Sequence, residues 1–345
     1  MTMTNSLALI ALFGGTALSA QAPQVTPVRV VTTLPVYGSI TSAIGGNQVE
    51  VVSIADPHED SHFVRPKPSH ALELRRADLF VTTGLDLELW VPALLDKGGN
   101  ARVLEGQPGY VTAYTGITLL DIPAVADRSQ GDVHIFGNPH VHTDPLRALQ
   151  VARNITTGLK RVAPDRAAHF DAGLNRYQEE TWNRLFGARL VELLGGATLE
   201  QLALNGTLFP FLESNDFEGT PLVTQLGGWL QRGASLRGRD ILCYHVNWSY
   251  FEDRFGVNCL EYVETKPGIP PTPRHVARLI SLMRERGLSV VIAADYFGEA
   301  RVRSVADRGG AVALILPMQT HARPGIDTYF DLVDAWVDGL AGALR

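Results

Sequence analysis

Short β-branched runs alternate along this chain with segments of helical length, and that alternation closes only as a parallel sheet covered by helices. Val28 to Thr33, Val49 to Ile54 and Leu79 to Thr83 read as buried strands, each followed by a turn marked by Pro or Gly. Between them, Pro35 to Ile44 and Ser69 to Ala77 read as helices, the second opening on Ser69 with Glu73 nearby. From Asp144-Pro145 to about Leu194 the strand signal disappears, and Pro164-Asp165 divides the stretch into two helical pieces. The second piece would run for about 35–40 Å at about 1.5 Å per residue, enough to cross between two lobes. Alternation resumes with strands at Asp240 to Tyr244, Asn258 to Val263, Ser289 to Ala294 and Ala311 to Leu316, and with helices at Pro273 to Arg286, Glu299 to Arg308 and Tyr329 to Leu344. The expected organisation is an N-terminal α/β lobe over 28–160, a linker helix over 161–192 and a C-terminal α/β lobe over 193–345, with a Gly-rich helical insertion at about 195–239.

With 345 residues and 45% hydrophobic content, the chain is long enough for a core in each lobe. The formal charge of -6 and the scattered Lys and Arg give no basic stripe, so nucleic acid is not an expected partner. Residues 1–22 read as a secretory signal, with an apolar run from Leu7 to Leu18 and a cleavable Ala20-Gln21-Ala22, though without a basic n-region. No cysteine stands near that site to receive a lipid, and no later apolar run is long enough to span a bilayer. An exported protein without a membrane span is expected. Cys243 and Cys259 fall in neighbouring strands, where a disulfide and two buried thiols fit the sequence equally well.

Ten histidines occur. His70, His169 and His275 lie on helices among Arg and Ala, where capping or solvated roles are expected. Three others stand beside strand ends or helix starts: His62 beyond the second strand, His140 before the first long helix, and His245 directly after the strand Ile241 to Tyr244. That placement suits one imidazole-rich metal site built from distant segments, because α/β folds place ligands beyond the carboxyl ends of their strands. His58-Glu59-Asp60-Ser61-His62 also matches the H-E-x-x-H string of zinc peptidases. That chemistry needs a helix with both histidines on one face, whereas the upstream run is β-branched and Pro66 and Pro68 follow. An exported zinc hydrolase with Glu59 as general base is the alternative reading.

Several motifs, in order, resemble one family across nearly the whole mature chain. They are Asp60-Ser61-His62-Phe63 with Lys67-Pro68-Ser69, Gly84-Leu85-Asp86-Leu87-Glu88-Leu89-Trp90, Gly137-Asn138-Pro139-His140 before Asp144-Pro145, Tyr244-His245-Val246-Asn247-Trp248-Ser249-Tyr250-Phe251, and Tyr262 to Pro271. They look like the metal-binding solute receptors of bacterial ABC transporters that capture zinc or manganese. The resemblance implies two Rossmann-like α/β lobes with parallel sheets, joined by a long rigid helix, with the metal in the cleft between them. It implies no enzymatic activity, a periplasmic or other extracytoplasmic location, a monomer, and delivery to the membrane permease of an ABC importer.

His62, His140 and His245 stand where the family's first three ligands stand. Members commonly add a carboxylate from a late loop, which here reads Leu316-Pro317-Met318-Gln319-Thr320-His321 and contains none. Water, Gln319, His321 or Asp295 is left for the fourth position. Members with a zinc role often carry a longer His-rich loop, whereas this chain has only His134 and its neighbours. Three imidazoles suit Zn²⁺, and Mn²⁺ prefers carboxylate oxygens, so zinc is expected ahead of manganese. Asp60, Asp144 and Asp295 are the carboxylates expected to orient the rings, and affinity is expected to collapse as pH falls through about 6.

Overall fold

The computed structural model describes residues 26–123, 134–266 and 268–345. The expected signal peptide at 1–22 lies outside them, as does Pro267 of the last motif. Strands β1 (Val28–Thr32), β2 (Val49–Ser53), β3 (Leu79–Thr82) and β4 (Tyr110–Thr112) form one sheet in the order β2-β1-β3-β4, with every pair parallel. Their connections contain α1 (Pro35–Gly45), α2 (Pro68–Arg76) and α3 (Val91–Gly98). β3 is buried along its whole length and the edge strand β2 only in part, as the apolar run of one and the mixed run of the other require. Helix α2 begins one residue before the expected Ser69, because Pro68 supplies the first helical position and the backbone N–H of Lys67 donates to His70 Nδ1 at 3.2 Å.

After the first sheet come α4 (Pro145–Val162) and α5 (Ala167–Phe186), packed on each other. Asp144 caps α4, its Oδ1 accepting from Leu146 N at 3.0 Å, with Pro145 preset for the first turn. The segment expected as one linker helix over 161–192 is interrupted, because α4 ends at Val162, Pro164 starts a separate 3₁₀ turn and Gly187 ends α5 with φ 88°. A Cβ on Gly187 would come within 2.6 Å of Gly227 Cα, so glycine is required there by both backbone angle and space. Beyond it lie α6 (Ala188–Leu194), α7 (Gly196–Leu204), α8 (Leu208–Ser214), the antiparallel hairpin β5 (Asp216–Phe217) and β6 (Thr220–Pro221), and α9 (Gly228–Arg232). Helices α7 and α9 pack on α5, so the insertion thickens the side of the central helix.

The second sheet contains β7 (Asp240–Cys243), β8 (Asn258–Tyr262), β9 (Val290–Ala294) and β10 (Val312–Leu316) in the order β10-β9-β7-β8, all parallel. Read from β8, this is the order of the first sheet. Helices α10 (Ser249–Phe255), α11 (Pro273–Arg286), α12 (Glu299–Gly309) and α13 (Tyr329–Ala343) complete it. Cys243 and Cys259 are joined as a disulfide between the adjacent strands β7 and β8, with Cα atoms 5.4 Å apart.

The two halves meet through a buried ion network. Arg254 on α10 donates from Nε and Nη2 to the two oxygens of Asp144, both at 2.9 Å, and Arg147 donates to Asp144 Oδ2 at 2.7 Å and to Asp253 at 2.8 Å. Burial would raise the Asp144 carboxyl, and the Arg254 guanidinium outweighs it, holding the carboxyl below its ordinary value. Arg254→Ala leaves a buried carboxylate with one cation where it had two. It is expected to lower unfolding stability by about 3 kcal/mol, measured by chemical denaturation of the metal-free protein.

Candidate metal centre

His62 lies in a pair of turns, not on a helix: Glu59 N donates to Asp56 O at 3.0 Å and Phe63 N to Asp60 O at 2.9 Å. The H-E-x-x-H string therefore has its two histidines in different surroundings. His58 is exposed, whereas His62 is buried. Glu59 accepts from Arg65 N at 3.4 Å.

The turn is held from behind by the Gly84 to Trp90 motif. Leu85 and Asp86 both take left-handed backbone angles, φ 61° and 64°, which turn the chain so that Glu88 points back under the sheet. Its buried carboxylate accepts from Thr33 Oγ1 at 2.6 Å, Thr83 N at 3.0 Å, Thr83 Oγ1 at 2.7 Å and Thr82 Oγ1 at 3.2 Å, tying together the ends of β1 and β3. Trp90 Nε1 then donates to Ser61 O at 3.0 Å, fixing the residue before His62.

His140 is positioned by Asn138. The Asn138 amide nitrogen donates to Asp121 at 2.9 Å, Val246 O at 2.8 Å and Ser249 Oγ at 3.1 Å, and its Oδ1 accepts from His140 N at 3.0 Å. Tyr250 O–H donates to Asn138 O at 2.6 Å. The loop carrying His140 is thereby fastened to the residue that follows His245.

These surroundings settle the tautomers. His62 Nδ1 meets Asp60 Oδ1 at 2.6 Å, His140 Nδ1 meets Asn138 Oδ1 at 2.9 Å, and His245 Nδ1 meets the Glu264 carbonyl at 3.3 Å. Each partner atom only accepts, so each Nδ1 carries the proton and each Nε2 presents a lone pair. His245 Nε2 is buried and has no hydrogen-bond partner among the described residues. The three rings converge, with His62 5.5 Å from His140 and 5.9 Å from His245 between centroids, and His140 6.3 Å from His245.

His134, which the sequence offered only as the remnant of a longer loop, joins them. Its Nε2 lies 3.0 Å from His62 Nε2, and its ring centroid is 5.8 Å from that of His140. No three His, Cys, Asp or Glu side chains among the described residues close around one point to metal-holding geometry, so the cluster is convergent but open.

The other sequence candidates have different surroundings, and the two buried oxygens of Asp295 have no hydrogen-bond partner among the described residues. Gln319 is buried with Oε1 accepting from Val36 N at 3.1 Å, His321 is 59% exposed with Nδ1 3.6 Å from Asp327, and Asp295 lies 4.0 Å from His58 Nδ1. Of the three carboxylates expected to orient rings, Asp60 does so, whereas Asp144 is engaged by Leu146, Arg147 and Arg254. His70 caps α2, and His169 and His275 bond the carbonyls of Gly45 and Tyr262, each at 2.9 Å.

Two parallel sheets with converging imidazoles at their junction define a bilobal binding protein. A family model described as zinc-uptake complex component A, periplasmic (ZnuA) matches residues 30–183 and 222–343. The chain belongs to this family, the metal-binding solute receptors of ABC uptake systems, and is not an enzyme. It is 24% identical over 340 residues to the iron-binding protein YfeA of Yersinia pestis, covering 97% of this chain and 93% of that protein. It is 23% identical over 323 residues to the zinc-binding protein AdcA of Streptococcus pyogenes serotype M3, covering 90% of this chain and 54% of AdcA, so it spans about half of that relative. A crystal structure of ZnuA superposes with a TM-score of 0.67 at 18% identity, over 93% of this chain and all of the other. The hydrolase alternative finds no support in the family or in the turn that holds Glu59.

Burial, then mutual repulsion among the imidazoles, lowers His134 to about 3 and His140 well below its ordinary value, and burial first of all lowers His245 to about 4. The folded metal-free protein therefore binds fewer protons than the unfolded chain once the pH drops below about 6.5, the unfolded histidine value. The stability these groups contribute is complete above that pH and is lost as pH falls toward about 4, each tenfold in proton affinity being worth about 1.4 kcal/mol. Thermal unfolding of the metal-free protein at pH 7.0 and pH 4.5 is expected to show the lower midpoint at pH 4.5, with part of the difference removed by His140→Gln.

Proposed function

We propose that the chain binds one zinc ion as cargo through the Nε2 atoms of His62, His140 and His245, and delivers it outside the cytoplasm to the permease of an ABC importer. The observation that carries this reading is the set of three acceptor-only partners, which leaves three imidazole lone pairs without protons in one buried space. Borderline Zn²⁺ suits such neutral nitrogens, whereas Mn²⁺ prefers oxygen. Nanomolar retention corresponds to about -12 kcal/mol, within reach of ligands whose orientation is already fixed. In this reading the two sheets are the lobes of a monomeric receptor, α5 lies beside their junction as a strut, and residues 1–22 are the export signal. No helix of the described residues is long and apolar enough to cross a membrane, in keeping with a receptor that meets its permease at the surface.

Zinc titration is expected to find one tight equivalent in the wild type and losses of affinity in His62→Ala, His140→Ala and His245→Ala. Glu59→Ala is expected to bind like the wild type, and none of the samples to cleave peptides. Because burial holds His134, His140 and His245 unprotonated below the ordinary imidazole range, zinc is expected to be released at a lower pH than free imidazoles would dictate. Release complete by pH 6, followed by dialysis and metal analysis, would contradict the site.

A further inference from the structure

We infer that His134 is a fourth metal ligand, so that the site closes as a shell of four imidazoles and rejects cations that seek oxygen. This rests on the three-histidine reading above and deepens it. In a tetrahedral zinc site with Zn–N bonds of about 2.0–2.1 Å, two nitrogen ligands stand about 3.3 Å apart. His134 Nε2 and His62 Nε2 are 3.0 Å apart, with the rings stacked at 5.1 Å, so both nitrogens already face the same small space.

The tautomers carry the argument further. His62 Nδ1 donates to Asp60, so His62 Nε2 has a lone pair and no proton. The 3.0 Å contact then requires His134 Nε2 to hold the proton when no metal is bound. A metal approaching His62 Nε2 takes the lone pair that this hydrogen bond used. The His134 proton leaves Nε2, one is taken up at Nδ1, and the freed Nε2 lone pair turns to the metal. Proton count and charge on the ring are unchanged, so this ligand is gained without net ionisation.

Three candidate oxygen donors are engaged, whereas the two buried oxygens of Asp295 have no hydrogen-bond partner among the described residues. Asp60 Oδ1 is committed to His62, Gln319 Oε1 accepts from Val36 N, and Glu264 Oε1 accepts from Gly268 N at 3.0 Å. His134 is itself buried, although it belongs to a polar loop whose sequence gives it no reason to be inside. A nitrogen-only shell suits Zn²⁺, whereas Mn²⁺ prefers carboxylate oxygens.

The test compares wild type, His134→Ala, His134→Asp and His140→Ala by zinc competition titration, manganese titration and visible absorption of the Co²⁺-loaded protein. His134→Ala is expected to keep one equivalent of zinc at about 10- to 100-fold lower affinity, with a shifted Co²⁺ band as water replaces nitrogen. His134→Asp is expected to narrow the preference for zinc over manganese. An unchanged affinity and Co²⁺ spectrum in His134→Ala, while His140→Ala loses metal, would overturn the fourth ligand and leave the three-histidine site standing. Wild-type binding in His140→Ala as well would overturn the site on which this inference rests.

Discussion

The stretch from Gly137 to Arg147 cannot satisfy its polar groups without both halves of the molecule, and most of the remaining geometry follows from that. Asn138 uses its amide nitrogen on Asp121 and on Val246 and Ser249 of the second half, and its oxygen on His140. Six residues later Asp144 caps α4 while receiving both nitrogens of Arg254. A buried polar group without a partner costs more than its hydrogen bond returns, so separating the halves would leave several such groups at once. The imidazole of His140 is therefore placed by the same contacts that set the two sheets against each other. Binding geometry and interlobe packing are one constraint here, not two.

The imidazoles illustrate how a protein can prepare a metal site before any metal arrives. Burying a neutral ring with an unused nitrogen is unfavourable, as the orphaned Nε2 of His245 shows. Protonation would relieve that nitrogen, but burial and the neighbouring rings oppose the extra charge on His134, His140 and His245. What is left at His245 is a lone pair that a cation can satisfy. Asp60, Asn138 and the Glu264 carbonyl contribute by holding the opposite nitrogens, and none of them needs to touch the ion.

Much of this was legible in the residues, and the parts that were not share a cause. The strands β1, β3, β9 and β10 were visible as apolar, largely β-branched runs, and β2, β7 and β8 as shorter or mixed runs bounded by turns. β4, with three residues, and the β5–β6 hairpin, with two residues in each strand, are too short to show any period. His62, His140 and His245 could be selected because each lies next to a readable strand or helix boundary. His134 lies in a loop without such a landmark, and its approach to His62 across 72 positions has no local signature. The place of Asp144 near His140 suggested ring orientation, and only Arg254, 110 residues away, shows where its oxygens go. For Gln319, His321 and Asp295, sequence places each residue on a loop or strand end but does not say which way its side chain faces.

Rigidity also bears on how such a receptor works. The two sheets share one strand order, yet their contributions differ: His62 follows β2 of the first sheet, whereas His245 directly follows β7, the counterpart of β1. The site is thus not a product of internal symmetry, and it depends on a fixed offset between the halves. Opening the cleft by a wide hinge would pull Asp144 from Arg254 and Asn138 from Val246, and breaking the first alone costs on the order of 3–5 kcal/mol. A change of a few ångströms within the His62 turn breaks none of those contacts. That turn is held by Trp90 of the first half and also faces the second half, where Asp295 lies 4.0 Å from His58 Nδ1. The architecture therefore opposes rotation of the lobes, because the ion network between them must break first.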